Sequence, residues 1–246
     1  MLSDEASKNK FGRLKGPPIN ASILTVVAFV EKYLVEFSYR YTGSTITNEK
    51  GLTQELCILL NFYVREEAYP FWFEKEYMEE TGRGNSPQVD IGVISSQTGG
   101  ITIDSKCYSN KETFFSMEAK RLCNLSKARE KEYLVGRIEK GRHIECGGIE
   151  RFKNEIHGRG LKYGAVIGYV QEYDFSYWLN TVNSWIDDLV DGTIATSTIW
   201  SGKDKLSGEY IRPSTAKFKS EHLRKTGSII FLFHLWVNLV KKKDFL

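Results

Sequence analysis

The run YGAVIGYVQ, residues 163–171, is the strongest constraint in the chain. It is nearly continuous in apolar and small residues, as a strand buried on both faces must be. Such a strand needs a covering layer on each side, which points to a sheet sandwiched between helices.

The flanking segments supply those layers. Residues 20–40 read as a helix with Asn20 or Ser22 as N-cap and Ile23, Val26, Val27, Val30, Leu34 and Phe37 on one face. A second helix is expected over 51–66, with Leu52, Leu56, Leu59, Leu60 and Tyr63 as its stripe and Glu55 at the stripe's edge. YPFWFEKEYME, QVDIGVIS, ITIDSKCY and TFFSMEAKRL read as strands separated by turn clusters. A short helix is expected around 126–137, and GGIERFKNEIHG reads as a helix closed at Gly158. After the 163–171 strand come an amphipathic helix, DFSYWLNTVNSWIDDLV, a polar stretch and a final strand from 228. The expectation is one α/β domain over 19–246 with a mixed central sheet flanked by helices. A basic arm, residues 1–18, precedes it and ends at Pro17-Pro18.

Composition excludes some classes. The chain has 246 residues, 41% of them hydrophobic and 26% charged, enough to bury a substantial core. The net charge of +3 permits an anionic partner without demanding one. Cys57, Cys107, Cys123 and Cys146 form no C-x-x-C pair and sit in or beside apolar segments, so buried free thiols in a reducing cytoplasm are expected rather than a zinc site. The polar N-terminus lacks a signal-peptide core, and no apolar run is long enough to span a bilayer. His222, with Arg224, is expected in a surface or capping role, and His234 as a buried, hydrogen-bonded imidazole.

The chemistry concentrates in FSMEAKRL, residues 115–122. Side chains alternate along a strand, so Glu118 and Lys120 share one face while Phe115, Met117 and Ala119 share the other. Asp90, in SPQVDIGV, occupies the polar face of an earlier strand. Adjacent strands lie about 4.8 Å apart, so Asp90 and Glu118 can converge on one ion. Two carboxylates with water and phosphate oxygens suit Mg²⁺ or Mn²⁺, and Lys120 can orient a water or neutralise charge on phosphorus. The same pattern also describes an exposed pair on a solvated sheet face.

Asp90 with Glu118-Ala-Lys120, preceded by a helix with an acidic residue and followed by GGIERF and the buried 163–171 strand, resembles the PD-(D/E)xK nucleases. The resemblance covers about residues 50–171, and departs from the family where Val89 replaces the proline before the first aspartate. It implies a restriction-endonuclease-like αβββαβ core with N- and C-terminal helical additions. It further implies a Mg²⁺- or Mn²⁺-dependent endonuclease acting on DNA in restriction, phage defence or repair, alone, as a homodimer or with a partner subunit. Glu55 is the candidate third carboxylate on the first helix, with an ordinary stripe-edge glutamate as the alternative. Arg121, Arg151 and Lys153 are candidates for phosphate contacts; a solvated helix face also accounts for the last two. A rival motif, Asp104 and Lys106 in ITIDSKCY, competes with Glu118 and Lys120. A non-catalytic nucleic-acid or protein interaction module that keeps the fold is the reading from a different class.

Overall fold

The computed structural model describes residues 22–79, 87–126, 129–140 and 142–241. The arm at 1–18 lies outside these residues. The elements in chain order are α1 (Ile23–Tyr41), α2 (Glu49–Glu66), β1 (Phe71–Met78), β2 (Gln88–Ser95), β3 (Ile101–Ile103), β4 (Lys106–Tyr108) and β5 (Thr113–Leu122). They continue with β6 (Arg137–Glu139), β7 (Arg142–Ile144), α3 (Gly148–Lys153), β8 (Tyr163–Val170) and α4 (Phe175–Val190). A 3₁₀ turn at Gly202–Asp204, β9 (Ser207–Ile211), β10 (Thr215–Leu223) and β11 (Ile229–Asn238) complete the chain.

Seven strands form one mixed sheet in the order β1-β2-β5-β8-β11-β10-β9. Strands β5, β8 and β11 are mutually parallel at its centre, and antiparallel strands flank them on both sides. The pattern of β8 explains its central place. Every residue from Gly164 to Val170 is buried. Ala165, Ile167 and Tyr169 pack into the core beneath α1 and α2, while Val166 and Val170 pack into a second core with α3 and α4. Gly168 is required by this packing, because a Cβ there would lie 2.4 Å from the Trp236 indole on β11.

The helix ends follow local rules. Ser22 caps α1 by accepting from the Thr25 N–H, and Asn48 caps α2 by accepting from Gly51. The Asn48 cap starts α2 two residues before the expected position and brings Glu49 into its first turn, where the helix dipole favours a carboxylate. Asp174 caps α4 in the same way.

Several expectations are corrected. ITIDSKCY is not one strand but a tight hairpin, β3 and β4, turned at Asp104 and Ser105, both with positive φ. The described residues between 126 and 137 form turns, not a helix. GGIERFKNEIHG is helical only over Gly148–Lys153. The C-terminal addition is not purely helical: α4 is followed by three strands that widen the sheet. The stretch before the final strand contains β10, whose sequence TAKFKSEHL buries Ala216, Phe218, Ser220 and His222 and puts Lys217, Lys219 and Glu221 on the opposite face. His222 and Arg224 are therefore buried rather than superficial, whereas His234 is buried and hydrogen-bonded as expected. Cys107 is exposed, so the thiols are not uniformly buried. Among the described residues no helix is long and apolar enough to cross a membrane.

Overpacking a tight core typically costs about 1–3 kcal/mol. Gly168→Ala drives a methyl into Trp236, so its unfolding free energy should fall by that amount, read as a lower urea midpoint with an unchanged slope.

Candidate functional site

The antiparallel register pairs Ile91 with Met117 and Gly92 with Ser116. Continued by one residue, it sets Asp90 beside Glu118. The Asp90 Oδ2 accepts from the Ala119 N–H at 2.8 Å, which anchors this carboxylate to the backbone of β5. Glu118 and Lys120 follow on the β5 face that looks towards α3.

Lys120 Nζ stands among three carboxylates. It lies 3.2 Å from Glu118 Oε2, 3.4 Å from Glu49 Oε1 and 3.7 Å from Asp90 Oδ2. Glu118 has no exposed surface. Arg151 Nη1, from α3, reaches its Oε2 at 3.5 Å, and His157 Nε2 stands 3.1 Å from its Oε1. These are ion-pair approaches. Neither Glu118 oxygen is in an aligned hydrogen bond among the described residues, although Lys120, His157 and Arg151 all stand within 3.5 Å of it.

A further carboxylate backs the site. Glu79, just past β1, accepts from the Ser116 hydroxyl, and its Oε2 and Oε1 share the Gly158 N–H at 2.9 and 3.1 Å. Its Oε2 lies 3.7 Å from His157 Nδ1. Glycine at 147 and 148 lets α3 approach this closely. A Cβ at Gly148 would fall 3.3 Å from Lys120 Cγ, and one at Gly147 would strike the Val135 backbone at 2.3 Å.

The charges do not balance. The carboxylates Glu49, Glu79, Asp90 and Glu118 face the permanent cations Lys120 and Arg151, with His157 between them. Burial opposes ionisation of Glu118, but Lys120, His157 and Arg151 outweigh it and hold its carboxyl below the usual range. Burial likewise disfavours the Lys120 ammonium, yet Glu118, Asp90 and Glu49 hold its pKa above the ordinary lysine value. Asp90 absorbs the imbalance. Its burial, together with the repulsion of Glu118, pushes its carboxyl up to about 6, against the opposing pull of Lys120 and the Ala119 N–H.

The candidates identified in the sequence divide into those the fold brings together and those it does not. Asp90, Glu118, Lys120 and Arg151 meet. Glu55 does not join them: it lies six residues beyond Glu49 on α2, about 9 Å along the axis and on another side of the helix, where it accepts from the Tyr41 hydroxyl at 2.5 Å. Lys153 is no phosphate contact, because it is buried against Asp204 with its ammonium 4.7 Å from the Trp200 ring centre. Arg121 alternates to the opposite face of β5 from Glu118 and is held by Gln171 at 2.8 Å and by Cys123 Sγ at 3.1 Å. Asp104 and Lys106 sit in the separate β3–β4 hairpin, with Lys106 over the Tyr108 ring, and take no part in this cluster.

Glu49, Glu79 and His157 had not been singled out in the sequence. The signal for Glu49 is Asn48, a strong N-cap that moves the helix start. Glu79 and His157 have no comparable local signature, since they meet only through the turn after α3.

No family model matches the chain, and no curated protein or solved structure matches it. Among the described residues no three His, Cys, Asp or Glu side chains are grouped so as to hold a metal ion by themselves. The three carboxylates converge on the Lys120 ammonium instead.

The raised pKa of Asp90 has a sign that can be tested. The folded state keeps its proton to higher pH than the unfolded chain, so ionising Asp90 costs stability as pH rises from about 4 to 6. Asp90→Asn keeps the acceptor for Ala119 and removes the charge. Because about a quarter of the side chain is exposed, the gain is discounted to roughly 1–2 kcal/mol. In EDTA, Asp90→Asn should melt above the parent at pH 7, and the difference should vanish near pH 4. A lower melting temperature at pH 7 would contradict the charge imbalance.

Proposed function

We propose that the chain is a metal-dependent nuclease that hydrolyses phosphodiester bonds of DNA. The observation that carries this reading is the buried Glu118 carboxylate, without an aligned hydrogen bond to either oxygen, placed with Asp90 and Glu49 around one lysine. Hard oxygen donors with surplus negative charge suit Mg²⁺ or Mn²⁺. Asp90 and Glu118, joined by Glu49, are the residues that would hold the ion. When bound, a divalent ion polarises the phosphodiester and lowers the pKa of a water.

The chain's own groups do the rest. The elevated pKa keeps Lys120 charged at neutral pH, so it acts as a cation and donor towards the phosphoryl oxygens rather than as a base. Water attacks phosphorus, the bond to the leaving oxygen breaks, and that oxygen takes a proton. Arg151, a quarter exposed at the rim, is placed to meet a non-bridging phosphate oxygen. With the β3–β4 and β6–β7 hairpins set aside as insertions, the order α2, β1, β2, β5, α3, β8 is compatible with the αβββαβ core that the sequence resemblance implies, and so supports the same reading.

A second reading has its own observation. Lys120 already lies within ion-pair distance of all three carboxylates, as expected of a closed structural cluster in an interaction module.

The test is incubation with supercoiled, linear, single-stranded and branched DNA in Mg²⁺, Mn²⁺ or EDTA, paired with calorimetric titration of Mn²⁺. Cleavage should require the metal, and Asp90→Ala and Glu118→Ala should abolish it along with the binding heat. Lys120→Ala should lose about 10²-fold or more in rate. Glu49→Gln should weaken Mn²⁺ binding, while Glu55→Gln leaves it unchanged. Absence of Mn²⁺ binding by the parent chain would favour the interaction module.

A further inference from the structure

A second polar cluster lies wholly inside the α3–α4 side of the sheet, away from Asp90 and Glu118. Its distances form a continuous chain. Asp204 Oδ1 lies 2.5 Å from His222 Nδ1, and His222 Nε2 lies 2.5 Å from Ser220 Oγ. Ser220 Oγ lies 2.6 Å from His234 Nε2, and His234 Nδ1 lies 2.7 Å from the Tyr133 hydroxyl. The Trp236 indole N–H donates to that hydroxyl at 2.8 Å. Lys153 closes the other end on Asp204.

Hydrogen-bond inventory leaves one direction for this chain. An indole nitrogen only donates, so Tyr133 accepts from Trp236, and its own buried proton finds its acceptor among the described residues in His234 Nδ1. His234 must then carry its proton on Nε2 and donate to Ser220. The Ser220 proton is left for His222 Nε2, and His222 Nδ1–H donates to Asp204. Two neighbouring neutral histidines thus hold opposite tautomers.

Both ends of the chain grip α3. The carbonyls of Glu132, Tyr133 and Leu134 accept from the N–H groups of Gly148, Ile149 and Glu150, at 2.9, 3.3 and 2.9 Å, and so satisfy the first turn of the helix. Lys153, its last residue, is the group held by Asp204. Between these anchors α3 carries Arg151, and the turn after it carries His157.

We propose that Ser220, His222 and His234 are positioning residues: their one-way relay ties the two ends of α3 together through the core and so sets Arg151 and His157 against Glu118. The consequence for cleavage rests on the nuclease reading; the hold on α3 does not. The Asp204–His222–Ser220 connectivity is that of a nucleophilic triad, but Ser220 is only 6% exposed and its far side is occupied by His234. The relay is built to hold rather than to attack.

Acid should weaken it. Burial lowers the pKa of His222 despite Asp204, with Lys153 adding to the lowering and Glu221 opposing it; burial and His222 do the same to His234. A second proton on His222, at Nε2, sends two N–H donors to Ser220 Oγ and leaves the Ser220 proton without an acceptor; one on His234, at Nδ1, adds a second N–H donor to the Tyr133 hydroxyl and strands the Tyr133 proton in the same way. The unfolded chain takes up these protons first, so stability is lost as pH falls below about 6.5.

The test begins with the unaltered full chain. Long-range ¹H–¹⁵N spectra at neutral pH should show His222 protonated at Nδ1 and His234 at Nε2, both neutral; matching tautomers or a charged ring would overturn the relay. In Ser220→Ala, amides of Gly148–Lys153 should exchange at least about tenfold faster, with β1 and β2 unchanged, and Ser220→Thr should restore protection. Unchanged exchange across α3 would overturn the proposal, as would covalent labelling of Ser220 by a fluorophosphonate. If the chain cleaves DNA, Ser220→Ala should lower kcat with little change in KM. A parent chain without cleavage removes that last arm alone and leaves the tautomer and exchange results to decide.

Discussion

An ionised carboxylate with no exposed surface cannot be stable alone, because the solvation lost on burial is worth several kcal/mol or more. Glu118 is such a group, and much of the local structure answers to it. Lys120 shares its strand face, Arg151 and His157 arrive from α3 and the turn beyond, and Gly147 and Gly148 clear the space for that approach. The compensation is chiefly Coulombic, from Lys120, His157 and Arg151, and no aligned hydrogen bond reaches either oxygen among the described residues. A purely structural buried charge is more economically satisfied by aligned donors.

The surplus of negative charge spreads outward from that point. Lys120 cannot fully neutralise Glu49, Asp90 and Glu118 together, and Asp90, the carboxylate facing both Glu118 and solvent, is the one whose ionisation is suppressed. A site of this kind trades stability for electrostatic readiness. Its supports lie deeper: Glu79 is fixed by the Gly158 N–H, and α3 is bound at both ends to one buried relay. The short helix has too few residues to hold its own position, so its placement depends on these tertiary ties.

Much of this was legible from local pattern. The apolar run at 163–171 marked the central strand, and the alternation in FSMEAKRL put Glu118 and Lys120 on one face and the core residues on the other. Asp90 followed from the same parity on β2. What escaped depended on chain segments far apart in sequence. Glu49 escapes because the apolar stripe marks the helix start two residues late, and Glu55 stands out by its place at the stripe's edge although it faces Tyr41. Lys153 reads as a solvent-facing helix residue until Asp204, some fifty residues later, is brought beneath it. β10 hid as a polar stretch because its inward positions include Ser220 and His222, whose burial is tolerable only when each finds the other.

The sequence by itself determined the periodicities: which segments are strands, which faces are apolar, and which acidic and basic residues share a face. These are local properties, set by the two-residue repeat of a strand and the 3.6-residue repeat of a helix. Only the tertiary structure decided which charges meet. The convergence of Glu49, Asp90, Glu118 and Lys120, and the run from Lys153 through Ser220 to Tyr133, join residues from different elements. Their energies arise from desolvation and mutual distance, which exist only once the layers have closed.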